Sequence, residues 1–523
     1  MTHEKLPTGW AWATLRELAD LKGGITKGLR RSNGAKVRSV PYLRVANVQR
    51  AFLDLSEVKT IEAKESEIAD LLLRPGDILF NEGGDRDKLG RGWIWRGELP
   101  ECIHQNHVFR ARLRSTDLQP KLVSWYANFV GAAYFSDQGK QTTNLASINL
   151  TKLGEFPVPV PPVEEQGRIV AEVEKQFTRL DAGVASLKRV QAQLKRYRAS
   201  VLKAACEGRL VPTEAELARC EKRDYEPADN LLARILQERK KSWVVQQLAR
   251  MRAEGKPSVG EGWKKNYEDP SGVSSQGLPN LPNGWCWASL TQLGELGRGR
   301  SKHRPRDDPR LYGGPYPFIQ TGDVRKSEGT ITGYTQTYSE MGLTQSRLWP
   351  AETLCITIAG NIAETGILAF DACFPDSVVG FCANSGISTR FVEFFLRTAK
   401  GELARFAPAT AQKNINLEVL ERIAVPLPPL AEQLRIVAEV ERVLSVVGTV
   451  EQEVESHLAR ANRLRASILK QAFDGRLVPP DPSDESASSL LQRIRANQHT
   501  PEPLRAAGSE VASKRRISRR VTV

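Results

Sequence analysis

Three methionines, six histidines and seven cysteines are few for a chain of 523 residues. The cysteines, at positions 102, 206, 220, 286, 355, 373 and 382, include no Cys-x-x-Cys pair, and the histidines are scattered. A zinc module needs clustered thiolates or imidazoles and a disulfide framework needs paired spacings, so neither is expected, and a reducing compartment fits. No apolar run is long enough to cross a bilayer, and the polar start MTHEKLPTGWAW has no signal-peptide core, so a cytoplasmic setting is expected. A Gly-x-x-x-x-Gly-Lys-Ser/Thr loop, an Asn-Pro-Pro-aromatic motif and a Gly-x-Ser-x-Gly elbow are all missing. The stretch Gly23-Gly24-Ile25-Thr26-Lys27-Gly28 has the flavour of a phosphate loop but lacks the closing Lys-Ser/Thr. Acidic residues accompany the glycines of Gly83–Gly92, yet no second carboxylate cluster completes a metal or acid-base site. Neither a catalytic group nor a cofactor or metal is therefore expected in this chain.

What the chain does have is charge and repetition. Its net charge of +14 and pI near 9.4 favour an acidic partner such as nucleic acid. Pro161–Pro212 and Pro428–Pro479 align at a constant offset of 267 without a gap. Each begins after a proline-rich stop and ends at Gly208 or Gly475 followed by Arg-Leu-Val-Pro, the punctuation of a helix start and stop. Between these limits Val173, Phe177, Leu180, Val184, Leu187, Val190, Leu194, Tyr197 and Val201 recur at steps of three and four. The second copy repeats the pattern with Val440, Leu444, Val447, Val450, Val454, Leu458, Ala461, Leu464 and Ile468. This is a coiled-coil period, so each stretch predicts a rod of roughly 66 Å that needs a helical partner. A chain that leaves one rod, builds a domain and returns to start the other pairs them most economically antiparallel.

The repeat extends further. Leu6-Pro7-Thr8-Gly9-Trp10-Ala11-Trp12 recurs as Leu281-Pro282-Asn283-Gly284-Trp285-Cys286-Trp287 at an offset of 275, which suits the edge of a β-rich domain with structural tryptophans. Each copy is followed by a basic, glycine-containing stretch, Lys22–Arg50 and Arg298–Arg310, and then by an expected strand, Tyr42–Gln49 and Phe318–Arg325. Such loops bring amides and cations to phosphates, here Lys27, Arg30, Arg31, Arg300 and Lys302. Arg44, Asn47, Gln49, Gln320, Arg325, Asn361 and Asn414 have the side chains that can bond base edges bidentately. A solvated surface loop is the plain alternative. The polar runs before the rods, 141–150 and 410–417, are expected to supply helix caps among their side chains.

The doubled order of Leu6–Leu15, Pro161–Pro212, Leu281–Leu290 and Pro428–Pro479 resembles the DNA-specificity subunit of type I restriction-modification systems, over nearly the whole chain. The resemblance implies an α+β fold of two globular β-rich target-recognition domains, separated by two long antiparallel coiled-coil helices in an internal pseudo-twofold repeat. The boundaries follow the motifs: 1–160 and 281–427 as recognition domains, 161–212 and 428–480 as spacer helices, 213–280 as a helical segment with linker, and 481–523 as a tail. It also implies a non-catalytic subunit that reads a bipartite double-stranded DNA target and docks two modification (methyltransferase) subunits, with restriction (nuclease/translocase) subunits in the full complex. Glu165, Gln166, Arg168, Arg198, Glu432, Gln433, Arg435 and Arg465 on the rods are the expected docking residues. S-adenosylmethionine, ATP and Mg would then belong to the partners. Two segments depart from a minimal repeat, the long 213–280 connection and the basic end beyond Ala506. A stand-alone two-headed DNA-binding or scaffold protein is the rival reading, separable by co-purification with a methyltransferase subunit.

Overall fold

The computed structural model describes residues 6–28, 36–84, 89–138, 140–141, 146–255, 262–274, 276–303, 305–360, 362–403 and 415–498. The chain divides into two compact units, one formed by 1–186 with 457–523 and the other by 187–456. The fold is α+β, with two β-rich heads and two long paired helices.

Both long helices run for 44 residues, Val163–Cys206 and Leu430–Phe473, at the same repeat offset. Each unit holds one end of the pair. In the first unit Val173 packs with Ile468 and Ala472, and Arg465 pairs with Asp181 while its guanidinium lies over the Phe177 ring. In the second unit Val201 and Ala205 pack with Ile436 and Val440, and Arg198 Nη2 lies 2.7 Å from a Glu451 carboxylate oxygen. Rising numbers on one helix meet falling numbers on the other, so in each unit the pair is antiparallel. Along the second helix Val440, Val447, Val454, Ala461 and Ile468 are buried, one residue in every seven. The intervening Val450 and Leu464 are exposed while Leu444 and Leu458 are half-buried, so the second row of the expected stripe is only partly covered.

The heads repeat one sheet plan. In the first, the strands Ala19–Lys22, Val108–Leu113, Ile78–Asn81 and Gly92–Ile94 are hydrogen-bonded neighbours in that order. In the second, Gly294–Arg298, Val378–Ala383, Leu354–Thr357 and Thr365–Leu368 follow the same order, with Thr330–Ile331 added at the far edge. The strand after each Gly-Trp turn pairs with the proline-rich stop before the rod, Ala11 with Val160 and Cys286 with Leu427. Proline is tolerated there because each ribbon has only two strands. Asn149 and Asn416 accept from the amides of Lys152 and Val419 and cap the short helices that precede these stops, as the polar runs led one to expect.

Each head's core is completed by a helix that follows a rod. Ala228, Leu231 and Ile235, from the helix Ala228–Ala253, lie in the core of the second unit. Ala487, Leu490 and Ile494, from Ala487–Gln498, take the same place in the first. Their first amides donate to the carbonyls of Gly284 and Gly9, at 2.8 and 2.9 Å. The stretch 481–523, expected as a tail, therefore begins with a helix that closes the core of the first head. Further along the helix of the second unit, Trp243 packs on Trp263 and Tyr267, fastening part of the connecting segment back onto it.

Candidate recognition loops and helix joints

The basic loops are held against the sheets by glycines. A Cβ on Gly24 would lie 1.9 Å from the His104 carbonyl oxygen, and one on Gly299, its equivalent 275 residues on, would lie 2.3 Å from that of Pro375. Backbone bonds from Ile25 to His104 and from Arg300 to Phe374, 2.8 and 3.1 Å, use this close approach. Lys27, Arg300 and Lys302 follow these anchors with exposed side chains and no ion-pair partner among the described residues. Neighbouring cations are spent internally: Arg306 pairs with Asp376, and Arg310 pairs with Asp308, which also bonds His303. Arg30, Arg31, Asn361 and Asn414 lie outside the described residues.

The strands expected at Tyr42–Gln49 and Phe318–Arg325 are corrected by the structure. The first ends at Leu43 and turns; the second ends at Phe318 and gives way to the short helix Thr321–Lys326. In both cases a side chain three residues on accepts from the amide where the strand stops, Asn47 Oδ1 from Arg44 at 3.0 Å and Asp323 Oδ2 from Gln320 at 2.9 Å. This local bond competes with the sheet ladder and closes a turn. Asn47 is buried, and its amide nitrogen also donates to the carbonyls of Asp54 and Glu57. Its expected role as a base reader is corrected to that of a turn builder. Arg44 reaches the Glu57 carbonyl, Gln49 the Ala46 carbonyl and Gln320 the Gln336 side chain, while Arg325 is exposed beside a cleft of the second unit. Asn47→Ala should lower the unfolding free energy by about 2 kcal/mol, whereas Lys27→Ala should change it by no more than about 0.5, as urea titration would show.

The first turns of the long helices form matching joints. Glu165 accepts from Trp10 Nε1 at 3.0 Å, and its equivalent Glu432 accepts from Trp285 Nε1 at 2.9 Å. Gln166 accepts from the Gln119 amide and donates to the Pro161 carbonyl; Gln433 does the same with Ser388 and Pro428. Arg168 meets Asp484 at 2.5 Å and Arg435 meets Glu214 at 2.5 Å, both acids coming from the segment that follows a rod. Glu432 accepts in addition from the Glu214 amide at 2.8 Å. All four Glu and Gln side chains are buried, so at these positions the expected docking role is corrected: their polar atoms are already bonded within the unit. Burial raises the pKa of Glu165 and of Glu432 above the ordinary glutamate value. Burial also pulls Glu214 upward, but Arg435 and Arg223 outweigh it and hold that carboxyl below its usual range. At the other end of each rod, Gly208 and Gly475 have φ of +67°, and a Cβ there would press on Pro282 or Pro7 at 2.5 or 2.4 Å. The Gly-Arg-Leu-Val-Pro stop is thus seated on the Leu-Pro-x-Gly-Trp motif in each unit.

Glu393 is a buried acid outside these joints. It is fully buried, accepts from Thr365 Oγ1 at 3.1 Å and lies 3.7 Å from Arg397. Burial pushes its pKa up to about 7, against the pull of Arg397, Thr365 and Arg390. The folded state therefore keeps a proton that the unfolded chain gives up in the ordinary glutamate range. Stability supplied by this group is complete below about pH 4.5 and falls, by roughly 3 kcal/mol, as the pH rises towards 7. In Glu393→Gln that slope should disappear from denaturant midpoints measured between pH 5 and 8.

Two heads with one sheet plan, each fastened by the same bonds to an end of two long helices and each carrying its own basic loop, define a doubled recognition scaffold. Residues 282–456 match the family model described as the type I restriction modification DNA specificity domain. The chain is 23% identical to the type I restriction enzyme EcoKI specificity subunit of Escherichia coli K12, covering 99% of this chain and all of the relative. It is 25% identical to the EcoDI specificity subunit of Escherichia coli over 73% of this chain and 76% of that one. A solved chain, described under the structural basis of complex assembly and conformational transition of the type I R-M system, matches 90% of this chain and all of its own length, with 18% identity and a TM-score of 0.59. The chain is thus similar, over nearly its whole length, to type I restriction-modification specificity subunits. Among the described residues no helix is long and apolar enough to cross a membrane.

Proposed function

We propose that this chain is the sequence-reading subunit of a type I restriction-modification complex. It binds double-stranded DNA at a bipartite target, one head to each half, and docks two methyltransferase subunits, with restriction subunits joining in the cytoplasmic assembly. It brings no catalytic group of its own; S-adenosylmethionine, ATP and Mg act in the partners. The observation that carries the reading is a shared joint with unlike loops. The tryptophan bonds to Glu165 and Glu432 are equivalent, while the stretches 22–50 and 298–310 differ in sequence. A duplicated frame suits a partner bound twice, and differing loops suit two unlike half-sites. Exposed Lys27, Arg300 and Lys302 would contact phosphates, giving an affinity that falls steeply with salt.

The test is methylation mapping in a host with and without the chain, alongside affinity purification of the tagged chain. The reading expects a two-part asymmetric motif methylated only when the chain is present, and a methyltransferase subunit retained with it. DNA binding without any methyltransferase partner would favour the stand-alone two-headed binder.

A further inference from the structure

Each unit contains a groove built from the same repeat positions. In the first unit a groove of about 490 Å³ is lined by Trp12, Tyr126, Pro159, Lys470 and Asp474 among others. In the second a larger groove, about 840 Å³, is lined by Trp287, Phe395, Pro426, Lys203 and Glu207 in the corresponding places. At one equivalent wall position the first groove has Phe473 and the second Cys206. The paired tryptophans thus divide their work. Trp10 and Trp285 are buried and bonded to the joint glutamates, whereas Trp12 and Trp287 are half-buried and face a groove.

We propose that these twin grooves are the docking sites for the methyltransferase subunits, each taking a segment of the partner that carries an aromatic or aliphatic anchor flanked by acidic side chains. This rests on the function proposed above. The apolar walls supply the pocket for an anchor, the kind of site that concentrates binding energy. The rims supply the charge argument: six Lys or Arg against three Glu line the second groove, and Lys470 and Arg476 against Asp474 line the first. A positive rim selects an acidic occupant and repels the chain's own basic end, Lys514-Arg515-Arg516. The DNA backbone is the poorer fit, because the first groove offers only two cations, both within 4.0 Å of the Asp474 carboxylate. Equivalence decides the number: a partner bound in two identical copies needs a surface that occurs twice, and these grooves repeat where the recognition loops do not.

Lys203 and Lys470 allow a test that spares the fold. Their side chains are 69% and 66% exposed, and their ion pairs are to Glu207 and Asp474, four residues on and just past the end of the same helix. Lys203→Glu and Lys470→Glu, singly and together, would be co-expressed with the methyltransferase subunit that copurifies with the unaltered chain, and the complexes weighed by native mass spectrometry. Each single variant should lose one of two copies at concentrations where the unaltered chain holds both, and the double variant should weaken association more than tenfold. Trp12→Ala and Trp287→Ala, checked by thermal melting, should act in the same direction. Two copies still bound by the Lys203→Glu/Lys470→Glu chain would overturn the grooves while leaving the proposed function intact. Weakened DNA binding with undiminished subunit binding would also overturn them, by assigning the grooves to DNA. No association by the unaltered chain would overturn the docking reading itself and this inference with it.

Discussion

Excising one heptad from each long helix, residues 186–192 and their repeat equivalents 453–459, should abolish methylation at the native target and shorten the preferred spacer while leaving both half-sites unchanged. The loss is roughly 10.5 Å of helix, about three base pairs of B-DNA. Seven residues is the length to remove because the buried row Val440, Val447, Val454, Ala461 and Ile468 repeats at that interval. The surviving residues then keep their facing partners. An excision of four or five would instead rotate one part of each rod against the other and is expected to cost the fold. Three base pairs also turn the duplex by roughly 100°, since a turn takes 10–10.5 base pairs, so affinity for the old site should fall more than tenfold. Methylome sequencing of a host carrying the shortened chain reads the outcome, and an unchanged spacer would reject the idea that the rods set the interval.

Glu432→Ala should be the most damaging single substitution at the joints. The side chain is fully buried and accepts from two donors, Trp285 Nε1 and the Glu214 amide, neither of which gains another acceptor when it is truncated. Two stranded donors at 1–3 kcal/mol each give a loss of about 4 kcal/mol, or roughly 10 °C in the melting of the second unit. Glu165→Ala strands Trp10 alone and should cost about half as much. The pH dependence follows from the direction of the shift. Burial raises the Glu432 pKa, so the folded state holds its proton longer, and the group's contribution to stability declines as the pH rises out of the ordinary glutamate range. Glu432→Gln removes that slope and, with a single acceptor oxygen, should melt between the unaltered chain and Glu432→Ala. Calorimetry of the three proteins at pH 5 and pH 8 decides both points; equal melting of Glu432→Ala and Glu165→Ala would refute the two-donor account.

The joints were half visible beforehand. Glu-Gln-x-Arg appears in both copies at the start of a rod, but a repeated polar motif on a helix reads equally as an internal fastening or as a docking surface. The difference lies in what approaches it: Trp10 and Gln119 are 155 and 47 residues from their partners in the chain. Asn47 misled for a related reason. Asparagine bonds base edges and backbone amides with the same atoms, and only the burial of its side chain among Arg44, Asp54 and Glu57 separates the two roles. The groove-facing role of Trp12 and Trp287 gave no sign either, because a Trp-x-Trp pair in a strand says that the two rings share a face and nothing about which is covered.

Sequence alone determined the duplication, the starts of the two 44-residue helices to within two residues, their antiparallel pairing and the absence of recognised catalytic motifs. Those features are written in local period and punctuation, which a helix reads from its own residues. Tertiary structure alone decided that Ala487–Gln498 completes the first head's core, as Ala228–Ile235 does the second's, and that Glu165 and Glu432 face inward. Burial is set by whatever packs against a side chain, and here that neighbour comes from hundreds of residues away: Arg495 pairs with Glu17, and Arg168 with Asp484.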